Sequence, residues 1–162
     1  MARSPARPRT RAGGAAALTL AVLLTGCGAA QELDAQQAES HYDAVIADVQ
    51  AALGPLGHEL VHAPATRSFE SDDGECLYTP GNYEADGFGA ELGDEENWDP
   101  VLEALDPVLE EHGFGTADAP RREGALLMVA VEDAHGAELS LGENGMVRIH
   151  GALVTAEACE GQ

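Results

Sequence analysis

Lysine is absent from this 162-residue chain, and all eight basic residues are arginines. Four of them, Arg3, Arg7, Arg9 and Arg11, crowd the N-terminus. After residue 26 only Arg67, Arg121, Arg122 and Arg148 oppose all 29 acidic residues, a formal charge of −25. So negative a surface repels phosphate backbones and anionic headgroups, which excludes a nucleic-acid binder and a basic reader of membrane surfaces. GC-biased coding or a salty habitat produces the same composition, so the charge alone identifies no cationic partner. Aromatics are few, at 4%, and Trp98, Tyr78 and Tyr83 fit a core better than a ligand groove. A phosphate loop, a dinucleotide fingerprint and a CxxC pair are all missing, and Ser68, Ser71 and Ser140 lack a nucleophile-elbow setting.

The chain also lacks an apolar run long enough to span a bilayer. Ala15–Thr25 supplies only about 11 apolar residues, against the roughly 20 that a spanning helix needs. A basic, acid-free segment precedes it, and Leu24-Thr25-Gly26-Cys27 closes it. That order is the cationic region, apolar region and small-residue cleavage site of an export signal. With no arginine pair ahead of the run, export by the general route is expected. The Leu24–Cys27 segment resembles the lipobox of bacterial lipoproteins. The resemblance implies cleavage after Gly26, acylation of Cys27 and anchoring on the extracytoplasmic face of the cell membrane. The expected organisation is a signal peptide over 1–26, a lipidated tether over 27–31 and one domain over 32–162. About four residues of tether reach on the order of 15 Å, which keeps the domain close to the membrane.

Two cysteines remain, Cys76 and Cys159, and in an exported protein such a pair is expected to form a disulfide. The 83-residue separation corresponds to about 4 to 5 kcal/mol of stabilisation in the chain-entropy model. Such a bridge ties the last strand to an early one.

Helical spacing of Leu33, Ala38, Tyr42, Val45, Ile46, Val49 and Leu53 predicts a helix over 32–53, stopped by Gly54-Pro55. Residues 67–70 and 76–79 read as a hairpin around Asp73-Gly74. Residues 80–97, rich in Gly, Asp and Glu, read as a mostly irregular connection pinned by Tyr83 and Phe88. A second helix starts at Asp99-Pro100 and ends at His112-Gly113, with Asp106-Pro107 predicting a kink or restart. Then come a polar loop and strands at 126–131, 137–141 and 146–154, joined by turns at Ala134-His135-Gly136 and Glu143-Asn144-Gly145. The order α-ββ-α-βββ predicts an α+β, two-layer fold in which two helices pack on an antiparallel sheet of about five strands.

His58-Glu59-Leu60-Val61-His62 is a literal H-E-x-x-H. In zincins that spacing puts two imidazoles on one helix face to bind zinc while the glutamate acts as general base. Gly54, Pro55, Gly57 and Pro64 disfavour the helix, and no further histidine follows at metzincin spacing. The expected state is an extended segment with His58 and His62 as surface or edge side chains, and no metal or cofactor is assigned. The clusters Asp72-Asp73-Gly74-Glu75 and Asp94-Glu95-Glu96-Asn97 are rich in oxygen ligands, yet neither follows the EF-hand order, and each reads as a solvated turn.

The lipobox, Glu75-Cys-Leu-Tyr-Thr-Pro80, the Trp98-Asp99 to Glu111-His-Gly-Phe114 helix and the late Cys159 together resemble small uncharacterised lipoproteins of high-GC Gram-positive bacteria. That resemblance implies a non-enzymatic envelope domain, anchored through Cys27, that binds a cation, an envelope protein or a small ligand and no nucleic acid. The alternative is a zinc hydrolase with His58 and His62 as ligands and Glu59 as base.

Overall fold

The computed structural model describes residues 30–160 except 64–65, 86–87 and 89–91. The signal segment and Cys27 lie outside the described residues.

Helix α1 spans Ala35–Leu53. Asp34 caps it: its carboxylate accepts from the Gln37 amide at 2.8 Å, while the Gln37 side chain accepts from the Asp34 amide at 3.1 Å. This reciprocal box satisfies two of the donors that a helix start leaves over. Because Asp34 is the cap, Leu33 lies before the helix and forms a parallel bridge with Val154. Ala38, Tyr42, Val45, Ile46, Val49 and Leu53 form the buried face, which is the predicted stripe.

Among the described residues nine strands follow, in two antiparallel sheets. The large sheet comprises β1 (Leu60–Ala63), β4 (Gly81–Ala85), β5 (Arg121–Glu123), β6 (Leu126–Glu132), β7 (Glu138–Gly142) and β8 (Met146–His150), in the order β1-β4-β8-β7-β6-β5. The small sheet holds β2 (Ser68–Asp72), β3 (Glu75–Thr79) and β9 (Ala152–Val154), in the order β2-β3-β9. Helix α2 spans Asp99–Glu111 and packs on α1, and a short turn of helix, α3, covers Glu157–Glu160. The α+β class, the two main helices, the Asp73-Gly74 hairpin and the β6-β7-β8 meander match expectation, whereas the strand total of about five does not.

Four changes account for the difference. The segment expected to be merely extended around residues 58–62 supplies a sheet strand, β1, paired with β4. Residues 80–97 are not an irregular connection, since β4 lies between β1 and β8 within the sheet. Tyr83 and Ala85 point inward while Asn82 and Glu84 do not, an alternation hidden by short length and acidic composition. The segment 146–154 is two strands rather than one. Gly151, at φ 81°, turns the chain out of the large sheet into the small one, in a conformation that favours glycine. Gly81, at φ 127°, makes the reverse crossing just after β3, where an added Cβ would lie 2.7 Å from His62 Nε2. Finally, the polar loop before β6 contains β5, a charged edge strand of the kind that blunts further pairing.

Helix α2 runs without restart through Pro107. The bond that proline removes would have gone to the carbonyl of Glu103, and both residues are exposed, so water replaces it on the solvent side.

The inner face of the large sheet, including Tyr83, Leu127, Val129, Leu139, Leu141, Val147 and Ile149, shares one core with both helices and with Tyr78 and Val154 of the small sheet. Trp98 is fully buried and donates its indole N–H to the Leu92 carbonyl at 2.9 Å. Phe88 is buried as well, so Tyr83 and Phe88 do pin their segment. No helix among the described residues is long and apolar enough to cross a membrane.

Candidate functional site

The H-E-x-x-H residues are not on a helix. His58 and Glu59 lie in the link between a 3-10 turn (Gly54–Leu56) and β1, and Leu60 to His62 are in the strand. Extended backbone separates positions four apart by up to about 13 Å, against the roughly 6 Å that lets two helical imidazoles share a metal. Nor is His58 a surface side chain. It is only 4% exposed, and its ring stacks on Phe88 with centroids 3.9 Å apart. His62 does lie on an edge strand, but its ring turns inward to stack on Tyr83 at 4.7 Å, with Nε2 buried and without a hydrogen-bond partner among the described residues. Glu59 is exposed. Gln50 of α1 locks this link, donating to the His58 carbonyl and accepting from the Leu60 amide.

Cys76 and Cys159 are joined as a disulfide. Cys76 is on β3 opposite Val154 of β9. Cys159 is in α3, one turn past the last strand rather than on it. The bridge therefore clamps the chain end across the small sheet.

The acidic cluster at Asp72–Glu75 forms the exposed tip of the β2–β3 hairpin, and the one at 94–97 forms a 3-10 turn leading into α2. Among the described residues no group of three histidine, cysteine or acidic side chains is placed to hold a metal ion. Trp98, Tyr78 and Tyr83 are core residues.

A cleft of about 540 Å³ opens beside His58, lined by Leu56, Leu92, Glu96, Asn97, Pro100 and Val101. Two separate concavities adjoin it, one lined by Gln50, His58 and Glu59 and one by Asp94, Glu95, Glu96 and Arg122. Leu56, Leu92, Pro100 and Val101 share the lining of the cleft with the polar His58, Asn97 and Glu96, and its size suits a small ligand or a peptide side chain.

A second set of titratable groups lies elsewhere, and none of its histidines was read as a site residue from the sequence. His41 on α1, His112 just after α2 and His135 in the β6–β7 turn converge. The His41 ring is 5.8 Å from that of His112 and 5.6 Å from that of His135, centroid to centroid, both edge-on. Beneath them sits the Asp133 carboxylate, with a fully buried side chain. Its Oδ1 accepts from the backbone amides of His135 and Ala137 at 2.8 and 2.9 Å, and its Oδ2 accepts from the Tyr42 hydroxyl at 2.7 Å. His112 Nε2 pairs with Asp48 Oδ2 at 2.8 Å. His41 Nε2 is buried, 3.9 Å from Asp133 Oδ2, and makes no hydrogen bond among the described residues. Burial, then the neighbouring His135, hold His41 below the ordinary imidazole range; Asp133 opposes the shift and His112 adds to it.

In sequence these residues look ordinary: His41 precedes a core tyrosine, His112-Gly113 marks a helix end and His135-Gly136 a turn. Only the packing of α1 on α2 and on the turn brings them together.

No protein-family model, no curated protein and no solved structure matches this chain.

Proposed function

We propose that the protein is a lipoprotein, held by Cys27 on the extracytoplasmic face of a membrane, and that its folded part is a non-enzymatic binding domain. The observation that carries this reading is the ordered N-terminal signal: basic segment, short apolar run, then Leu24-Thr25-Gly26-Cys27. The Cys76–Cys159 bridge suits an oxidising compartment outside the cytoplasm. The Gln31 amide donates to the Ala134 carbonyl at 2.9 Å, so in this reading the docked chain begins within four residues of the anchor. From Cys27 to Gln31 the chain reaches about 14 Å at full extension, so the domain stands against the membrane surface.

The cleft beside His58 is the surface we assign to ligand. Glu96 lines it, and the adjoining concavities carry Glu59, Asp94 and Glu95 against Arg122, a balance that favours a cationic or neutral group over an anion.

The anchor is tested by Cys27→Ser. Palmitate labelling is lost and the protein leaves the membrane fraction; unchanged labelling and fractionation overturn the reading. The cleft is tested by titrating the full chain with a lysine-rich peptide and following NMR shifts of Leu56, Leu92 and Val101. Shifts confined to other surfaces count against it.

A further inference from the structure

We infer that His41, His112 and His135 form an acid-operated latch that docks the incoming segment Gln31–Leu33 on the domain at neutral pH and releases it on protonation.

The segment is held through the turn that carries His135. The Gln31 amide donates to Ala134 and the Gln31 carbonyl accepts from His135 Nδ1 at 2.7 Å. The Leu33 amide donates to the Leu153 carbonyl at 3.1 Å, the Thr155 amide donates to the Leu33 carbonyl at 2.9 Å, and the Leu153 amide donates to the His135 carbonyl at 2.9 Å. Segment, turn and β9 are thus one stitched unit, and His135 contributes both a side chain and a carbonyl to it.

A carbonyl only accepts, so neutral His135 carries its proton on Nδ1, with Nε2 as its basic nitrogen. An ionised carboxylate also only accepts, so neutral His112 donates from Nε2 to Asp48, with Nδ1 as its basic nitrogen. His41 sits between the two rings. The charged groups facing it are Asp133 and His135 from the turn and His112 from the end of α2, with Asp48 reached through His112. Two carboxylates therefore face three imidazoles. Asp133 is already committed to Tyr42 and two backbone amides and is too far from His41 for a hydrogen bond. Full protonation places three like charges at ring separations under 6 Å with incomplete compensation. Helices α1 and α2 are fixed by core side chains, whereas Ala134, His135 and Gly136 lie outside the buried core, between Asp133 and Ala137, whose side chains are buried. The part that yields is the turn, and Gln31 goes with it.

The device is protonic rather than metallic. His112 and His135 direct nitrogens at different acceptors, and among the described residues no three ligands converge. The consequence for the domain's distance from the membrane rests on the lipid-anchor reading. The latch itself does not, so the two fail separately.

The test is hydrogen exchange of the full chain by mass spectrometry, in peptides covering residues 31–34 and 150–156, referenced to the intrinsic exchange rate at each pH. Between about pH 7.5 and pH 5, a window that spans the imidazole range and stays above the carboxylate range, protection in these peptides drops about tenfold. Peptides from β3 and α2 keep theirs. His41→Gln, neutral throughout, retains protection at the lower pH, and His135→Gln provides the same comparison should His41→Gln not fold. The proposal is overturned by pH-independent protection in the wild type, by a loss shared equally across all peptides, or by an undiminished loss in the variants.

Discussion

The Tyr42 hydroxyl donates a 2.7 Å hydrogen bond to Asp133 Oδ2, joining the middle of helix α1 to the β6–β7 turn across 91 residues of chain. With the amides of His135 and Ala137 on the other oxygen, a fully buried carboxylate keeps three donors, and charge burial is tolerated on that condition. Tyr42→Phe removes one donor without changing shape. The expected cost is about 1 to 3 kcal/mol, because a buried charge is left short of a partner. Denaturant titration at neutral pH measures it, and an unchanged midpoint would show that the carboxylate does not depend on this bond.

The disulfide closes a loop of 83 residues. In the chain-entropy model its loss costs about 4 to 5 kcal/mol, a large part of the total for a domain of this size. Replacing Cys76 and Cys159 together by alanine is expected to lower the unfolding free energy by that amount and the denaturation midpoint with it. Adding reductant to the wild type produces the same shift, and reductant leaves the double variant unaffected.

How far the sequence could be read depended on how local each signal was. The α1 stripe, its stop at Gly54, the Asp73-Gly74 turn and the Asn144-Gly145 turn are written in neighbouring residues. Strand β4 was missed because five residues containing a glycine and a glutamate carry too little alternation to stand out. The break at Gly151 was missed because apolar residues continue on both sides of it, and only the change of sheet separates them. The histidine cluster had no sequence signal, since its members sit on three elements with no shared spacing. The H-E-x-x-H pentapeptide is the reverse case: a strong local pattern whose flanking Gly and Pro residues decided the backbone, and whose first histidine belongs to the core.

That burial changes what substitutions in the pentapeptide should do. His58→Ala removes a stacked, nearly inaccessible ring from Phe88 and is expected to cost about 2 to 4 kcal/mol, in the range of other large-to-small core changes. Glu59→Gln, at an exposed position, is expected to leave the thermal midpoint unmoved. Paired melting curves check both, and equal effects from the two would contradict the burial argument.

All three tyrosines are held above their ordinary range, each chiefly by burial. Tyr42 is the furthest displaced, its bond to Asp133 adding to the effect. Tyr78 is pushed up to about 12, with Arg67 pulling against burial and Asp43 and Glu39 reinforcing it. Tyr83 is raised too, although Arg67 opposes the shift there. An acid whose folded value is raised binds more protons in the native state than in the unfolded one at alkaline pH, so stability falls as pH rises. The contribution is complete below the unfolded tyrosine value of about 10 and fades progressively above it. Ultraviolet titration is therefore expected to show no separate phenolate step near pH 10. Ionisation should instead coincide with loss of circular dichroism at higher pH. A tyrosine that ionised near its ordinary value while the fold remained intact would show that its hydroxyl reaches solvent.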